Sequence, residues 1–331
     1  MKLQIYRTGA SNNFNSQFLS KEQRILEEIE NISYIQSLNN IDPEKNFIII
    51  SGAETKPEDI SPKILDKTVL LIHPHSEHHH FNKEFFSKYS FPIILGNPIR
   101  ANAVAEFNLG VIFSKFNKMI NQDHWSQENS YERKLLRDQT VLILGYGHIG
   151  KLIHDSLNPL CRSVKVYDPN INFSEQTVQG YSQYTEDIFH KADIVIVATE
   201  LNHQSHHMIN ANTLKLISPE AIIINSTGAG VICEEDLKLF LQKNPKAYCH
   251  LDVFEHEPFK PGYLNDLKNL TKSSHIAGLY DKLNNDIISF EYLIIKDFLK
   301  AYIDNQTGHF ENEYSECLLK KEVYNQNEKQ I

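Results

Sequence analysis

Gly145-Tyr146-Gly147-His148-Ile149-Gly150 places three glycines at a spacing that can wrap a diphosphate. The first glycine permits a tight turn, Gly147 lets backbone approach the phosphates, and Gly150 allows a helix to pack closely on a strand. Val141–Leu144, just upstream, reads as a buried strand. Downstream, Ile149, Leu152, Ile153 and Leu157 recur at helical spacing. A helix opening at His148 and Ile149 would aim its unpaired N–H groups and its positive end at an anion. The next apolar run, Val164–Tyr167, ends in Asp168. An acid about 20 residues past the glycines is placed to accept hydrogen bonds from ribose hydroxyls. A carboxylate there repels a 2′-phosphate, and Pro169-Asn170 offers no cation, so NAD is expected over NADP. The glycines alone would also suit a ligand-free turn, or an FAD or S-adenosylmethionine site.

The elements that must position this turn follow an α/β pattern, short apolar runs alternating with helix-length segments. Strands are expected at Leu3–Tyr6, Phe47–Ile50, Val69–Ile72 and Pro92–Leu95. A long helix is expected over Val104–Ile120, then a polar junction over Asn121–Gln139. Further strands are expected at Val141–Leu144, Val164–Tyr167, Ile194–Ala198, Ala221–Asn225, Ala247–Val253 and Leu270–Ser273. A helix over Ile287–Ile303 would return to the first domain, and the polar tail from Asp304 would lie on the surface. The expected architecture is two doubly wound α/β domains. Residues 104–280 form a Rossmann domain for NAD; residues 1–103 and 281–331 form a flavodoxin-like substrate domain.

A chain of 331 residues can bury two cores. Its formal charge of −9 argues against nonspecific nucleic-acid binding, which rests on Lys and Arg contacts to phosphate. Cys161, Cys233, Cys249 and Cys317 are scattered, as expected for reduced cytosolic thiols. The opening residues lack the apolar run of a signal peptide, and no stretch approaches ~18 apolar residues. A cytoplasmic protein without membrane partners is expected.

Later segments carry a family resemblance. Asn102-Ala103-Val104-Ala105-Glu106-Phe107, Trp125, Asn225-Ser226-Thr227-Gly228-Ala229-Gly230-Val231-Ile232, Leu251-Asp252-Val253-Phe254-Glu255-His256-Glu257-Pro258 and Ser274-His275-Ile276-Ala277-Gly278 occur in order. With the glycine turn, over roughly residues 45 to 300, the chain resembles the D-isomer-specific 2-hydroxyacid dehydrogenases. The resemblance implies hydride transfer between NAD(H) and a small 2-hydroxy or 2-keto acid, and a homodimer built on the cofactor domain. It makes His275 the general acid/base and Glu257 the carboxylate that holds it. It places Asp252 at the nicotinamide carboxamide, with Thr199, Ser226, Thr227 and Gly228 lining the cofactor.

The departures bear on the substrate. The family has an arginine where this chain has Gly228, a planar fork that grips the keto acid. Losing one such donor typically costs on the order of 3–4 kcal/mol, or about 10²–10³ in rate. Glu200 replaces the usual proline of another family segment. Three readings follow: Arg100 supplies the missing cation; the substrate lacks a carboxylate; or the chain is an NAD(H)-binding regulatory or scaffold protein without turnover. The family's glycine-bearing substrate loop is here His73-Pro74-His75-Ser76-Glu77-His78-His79-His80, where Pro74 removes an amide donor. Such a run can attract zinc or nickel but does not fix a four-ligand geometry, so a polar loop is expected and no functional metal is assigned.

Overall fold

Runs such as Phe47-Ile48-Ile49-Ile50 are apolar at every position, a pattern satisfied only in a sheet covered on both faces. The structure, a computed structural model, describes residues 3–9, 16–75, 81–117, 125, 133–260 and 262–319. The chain divides into two compact units, residues 1–100 with 280–330, and residues 101–279.

The first unit contains β1 (Leu3–Arg7), α1 (Ser16–Leu26), β2 (Ile32–Ile35), β3 (Phe47–Ile50), α2 (Pro62–Leu65), β4 (Thr68–His73), α3 (Lys83–Lys88) and β5 (Ile93–Leu95). Its five strands are all parallel, in the order β2-β1-β3-β4-β5, the flavodoxin-like winding. Successive strand residues point to opposite faces. Ile48, Ile50, Leu70 and Ile72 therefore join one core with Ile294, Ile295 and Phe298. Phe47, Ile49 and Leu71 join another with Phe81 and Phe85. Within the first of these layers Arg7, Glu22 and Glu291 are buried together, with Arg7 3.6 Å from Glu22 and 3.5 Å from Glu291. Burial and the neighbouring Glu22 push the Glu291 carboxyl well above the usual carboxylate range.

The second unit contains α4 (Ala101–Phe116), β6 (Thr140–Leu144), α5 (His148–Leu157), β7 (Ser163–Tyr167), β8 (Gly180–Tyr181), β9 (Ile194–Val197), β10 (Ile222–Asn225), α6 (Glu234–Lys243), β11 (Tyr248–Leu251) and β12 (Leu270–Lys272). Its seven parallel strands run β12-β11-β10-β9-β6-β7-β8, the Rossmann order with one further strand beyond β11. The order reverses between β6 and β9, and doubly wound sheets bind ligands at such a switch point.

Several expectations need correction. β2 and β8 were not anticipated: β2 mixes polar and apolar residues at a sheet edge, and β8 is two residues long. The long helix starts at Ala101 and ends at Phe116, and residues 118–124 lie outside the described residues. The tail, expected on the surface, is partly buried over its described residues 304–319. After α7 (Leu283–Ile303), α8 (Thr307–Glu313) buries Phe310, and Leu318 makes an antiparallel bridge to Ile94. Leu319 N donates to Ile93 O at 2.9 Å, closing the β5 edge. Isolated apolar residues in a polar tail carry no periodicity, yet an open strand edge gives their backbone partners. Among the described residues, no helix is long and apolar enough to cross a membrane.

Candidate active site

The turn after β6 is built as its glycines require. Gly145 has φ +104°, and a Cβ there would stand 2.4 Å from the carbonyl oxygen of Ala198. The ends of β6 and β9 thus approach more closely than any side chain allows. A Cβ at Gly150 would lie 2.1 Å from Gly145 O, so only glycine lets α5 start this near the strand. Gly147 differs, since a Cβ there would meet nothing within 4 Å. No side chain caps the start of α5, at His148 and Ile149. Open space before an uncapped helix start, beside a backbone free of side chains, is a cradle for a diphosphate. Asp168 follows β7, and its Oδ2 accepts from Tyr146 N at 2.8 Å while Oδ1 accepts from Asn170 N at 2.9 Å. The carboxylate is thereby fixed against the glycine turn and half-exposed, as a ribose acceptor should be.

Two further loops leave the same sheet edge. Asn225, at the end of β10, stitches the loop 225–228. Its Nδ2 donates to Gly228 O at 2.9 Å, and its Oδ1 accepts from Thr227 N and Gly228 N. Thr227 Oγ1 donates to Val197 O at 2.9 Å and Thr199 O at 3.2 Å. Ser226 is buried, and its hydroxyl accepts from Asn108 Nδ2 of α4 at 2.7 Å. Ser226 and Thr227, expected to line a cofactor, thus spend their side chains on holding the loop. A Cβ at Gly228 would meet Thr199 O at 2.5 Å and Val231 Cγ2 at 2.6 Å. The missing arginine is therefore more than a substitution, because the loop has closed into the space where its side chain would begin.

His275 and Glu257 meet, with Nδ1 3.0 Å from Glu257 Oε2. Glu257 is itself held through Oε1, which accepts from Phe254 N at 2.9 Å. His275 adopts φ +53°, a left-handed conformation uncommon for a side chain-bearing residue and often retained at functional sites. Its own N–H donates to Asp252 O at 2.8 Å. The ring is half-exposed, and Nε2 makes no bond among the described residues.

Asp252, expected at the nicotinamide, lies against the turn that carries His275. It is fully buried, and its carboxylate accepts from Ser273 Oγ (2.5 Å), Ile276 N (3.0 Å) and Ala277 N (2.8 Å). Through these bonds Asp252 fixes the turn that carries His275. His250, on β11, completes this support through Ser273 Oγ at 3.1 Å, and its burial pushes the imidazole below its usual value. Neither Asn108 nor Ser273 carries a motif of its own, though Ser273 lies two residues before His275.

Arg100 lies in the first unit, half-buried, with Nη1 donating to Pro74 O at 3.1 Å. Burial pushes its guanidinium below the ordinary arginine value. Of the histidine run, His73 is fully buried with Nδ1 2.7 Å from Ser51 Oγ, and its ring centroid is 5.3 Å from that of His75. Residues 76–80 lie outside the described residues, and the exposed Trp125 stands alone between undescribed neighbours.

The chain is similar to a glyoxylate reductase of Thermococcus gammatolerans, 24% identical over 214 residues, covering 58% of this chain and 64% of that protein. It is also similar to the peroxisomal glycerate dehydrogenase of Arabidopsis thaliana, 27% identical over 248 residues, covering 66% of this chain and 64% of that protein. The chain thus spans 64% of the length of each of these relatives. In fold it is similar to the D-lactate dehydrogenase from Aquifex aeolicus solved with NAD and lactic acid. That match has a TM-score of 0.64 at 16% identity and covers 92% of this chain and 98% of that one. Residues 104–277, more than half of the 331, match the family model for the D-isomer specific 2-hydroxyacid dehydrogenase, NAD binding domain. With the switch-point glycines and Asp168 arranged to receive that cofactor, the chain belongs to the D-isomer specific 2-hydroxyacid dehydrogenase family, and its second unit is the family's NAD-binding domain.

Proposed function

We propose that the chain is an NAD-dependent oxidoreductase acting between a 2-hydroxy acid and its 2-keto acid, or on a related carbonyl compound. The contact that carries the reading is His275 Nδ1 to Glu257 Oε2, 3.0 Å, in the unit that also holds the dinucleotide turn. NAD, when bound, supplies or accepts the hydride. The Gly145–Gly150 turn would hold its diphosphate, Asp168 its adenosine ribose, and the backbone of Thr199 and Gly228 would border it. His275 would donate a proton from Nε2 to the carbonyl oxygen during reduction, and take one from the hydroxyl during oxidation. Glu257 keeps the ring in one orientation and presents a negative charge to its protonated form.

Arg100 is the cation we assign to the substrate's carboxylate. Apart from the bond to Pro74 O, its fork makes no hydrogen bond among the described residues, so donors remain for an anion. Relatives named glyoxylate reductase and glycerate dehydrogenase support a small acid as substrate. The reading also carries a homodimer, checked by light scattering, and a cytoplasmic location, checked by fractionation.

A panel of 2-keto acids, aldehydes and ketones, followed by loss of NADH absorbance, tests the activity. His275→Asn should lower kcat by about 10²–10⁴ while NADH binding is retained. Turnover unchanged in that variant, or absent with every compound, refutes the proposal. Arg100→Ala should raise KM for keto acids and leave uncharged carbonyls unaffected; equal effects on both would remove Arg100 from the site.

A further inference from the structure

Three segments of the second unit, separate in sequence, each bring one side chain to a common point. His207 lies in the loop after β9, Cys233 stands immediately before α6, and Glu255 follows β11. An imidazole nitrogen, the thiol sulfur and a carboxylate oxygen all lie within 4.8 Å of one another. We infer that this cluster is a binding site for a divalent transition-metal ion, with zinc the ion its donors suit best.

The donor set selects the ion. Thiolate, imidazole and carboxylate together are borderline-soft ligands typical of zinc, whereas calcium and magnesium require oxygen shells. Ligands bound to zinc at about 2.0–2.3 Å in a tetrahedron stand about 3.3–3.8 Å from one another. His207 Nε2 and Glu255 Oε1 are already 3.0 Å apart. Closing the sulfur onto the ion therefore needs side-chain movement of about an ångström, against the 4.8 Å limit of the cluster.

The backbone holds these donors without an ion. His207 N donates to Gly230 O at 2.9 Å, Ile209 N to Val231 O at 3.0 Å, and Cys233 N to Ile209 O at 2.8 Å. Glu255 and Glu234 bind each other reciprocally, Glu255 N to Glu234 Oε1 at 2.8 Å and Glu234 N to Glu255 Oε1 at 3.1 Å. A site pre-set in this way loses little freedom when it binds. Charge acts in the same direction. The first turn of α6 carries Glu234, Glu235 and Asp236, whose negative charge offsets the positive helix end and attracts a cation.

Cys233 is an uncommon residue at its position. It occupies the N-cap of α6, a position that favours Ser, Thr, Asp or Asn, and it makes no side-chain cap bond. On binding, its S–H bond is replaced by a sulfur–metal bond and the proton passes to solvent. Three protein ligands leave one tetrahedral position for water, which reaches the partly exposed His207 and Glu255. The ion would tie α6 to the segment that leads into Glu257.

Cobalt(II) reports the site directly, because a cysteine ligand gives it a thiolate-to-metal charge-transfer band. The full-length protein, stripped with a chelator, is titrated with cobalt(II) and then zinc(II). Cobalt, added to saturation, should produce the band with the visible spectrum of a tetrahedral centre, and zinc should displace it. Cys233→Ser should lack the band while retaining its circular dichroism. Glu255→Gln should weaken binding more than about tenfold, the loss typical of even an outer-shell partner. Histidine alone produces no such band, so cobalt held by the run at 73–80 delays the band in the titration but adds nothing to it. Absence of the band in the parent protein, or its persistence in Cys233→Ser, overturns the inference.

Discussion

Replacing Gly228 with alanine measures why this position has no side chain. Two effects of opposite sign compete. No left-handed φ holds Gly228, so alanine would ordinarily stabilise by about 0.4–1 kcal/mol through a less free unfolded chain. Against this, the new Cβ would stand 2.5 Å from Thr199 O and 2.6 Å from Val231 Cγ2. Relaxed carbon contacts are about 3.5–4.0 Å, so something must move by about an ångström. Moving Thr199 weakens its bond from Thr227 Oγ1, and moving Gly228 weakens its bond from Asn225 Nδ2. Overpacking of this kind costs about 1–3 kcal/mol, and each weakened bond up to about 1 kcal/mol more. The clash outweighs the entropy, leaving a net loss of about 1–3 kcal/mol. At roughly 2–4 °C per kcal/mol for a unit of this size, Tm should fall by about 2–12 °C in a calorimetric scan. An unchanged or higher Tm would refute the close approach. By the same geometry, Gly228→Arg should fall further and gain no keto-acid reduction, since the loop must open before the fork can extend.

Three other outcomes are expected. Asp252→Asn puts an NH2 group against the buried donors Ser273 Oγ, Ile276 N and Ala277 N. It should cost about 2–4 kcal/mol, one lost charged bond with an unsatisfied donor, and kcat should fall as the His275 turn loosens; urea unfolding and steady-state rates check both. Asp168→Asn should weaken NADH binding by about 1.5–3 kcal/mol and narrow the gap to NADPH, measured by calorimetric titration of each. Glu291→Gln tests the buried cluster. The folded carboxyl keeps its proton above the usual carboxylate range, where the unfolded chain has lost it. Native protein then binds more protons than unfolded, so this group's stabilising effect declines as pH rises from about 4.5, by up to about 1.4 kcal/mol per pH unit. The glutamine variant should lose that decline and become relatively more stable toward neutral pH. Parallel stability–pH curves would count against a protonated Glu291.

Local features were legible in the sequence. The glycines at 145, 147 and 150, the strand ahead of them and Asp168 act within a single βαβ unit, whose geometry follows from nearest neighbours and hydrophobic pattern. Strands buried on both faces announce themselves as continuous apolar runs, as Ile222–Asn225 and Ile194–Val197 do. The edge strand β2, the two-residue β8 and the bridge at Leu318 do not, because their pairing depends on which strand edge is open nearby. Site roles divide in the same way. The segments bearing His275 and Glu257 were visible in order, but whether Asp252 faced a ligand or the His275 turn depended on donors 21 to 25 residues away. Residue types and spacing thus determined the alternation of buried strands and helices and the turn for the dinucleotide. Only the folded chain decided that Gly228 is a packing requirement, and that His207, Cys233 and Glu255 share one point. Such facts arise where loops from different strands converge, and parallel strands bring those loops together across long stretches of intervening chain.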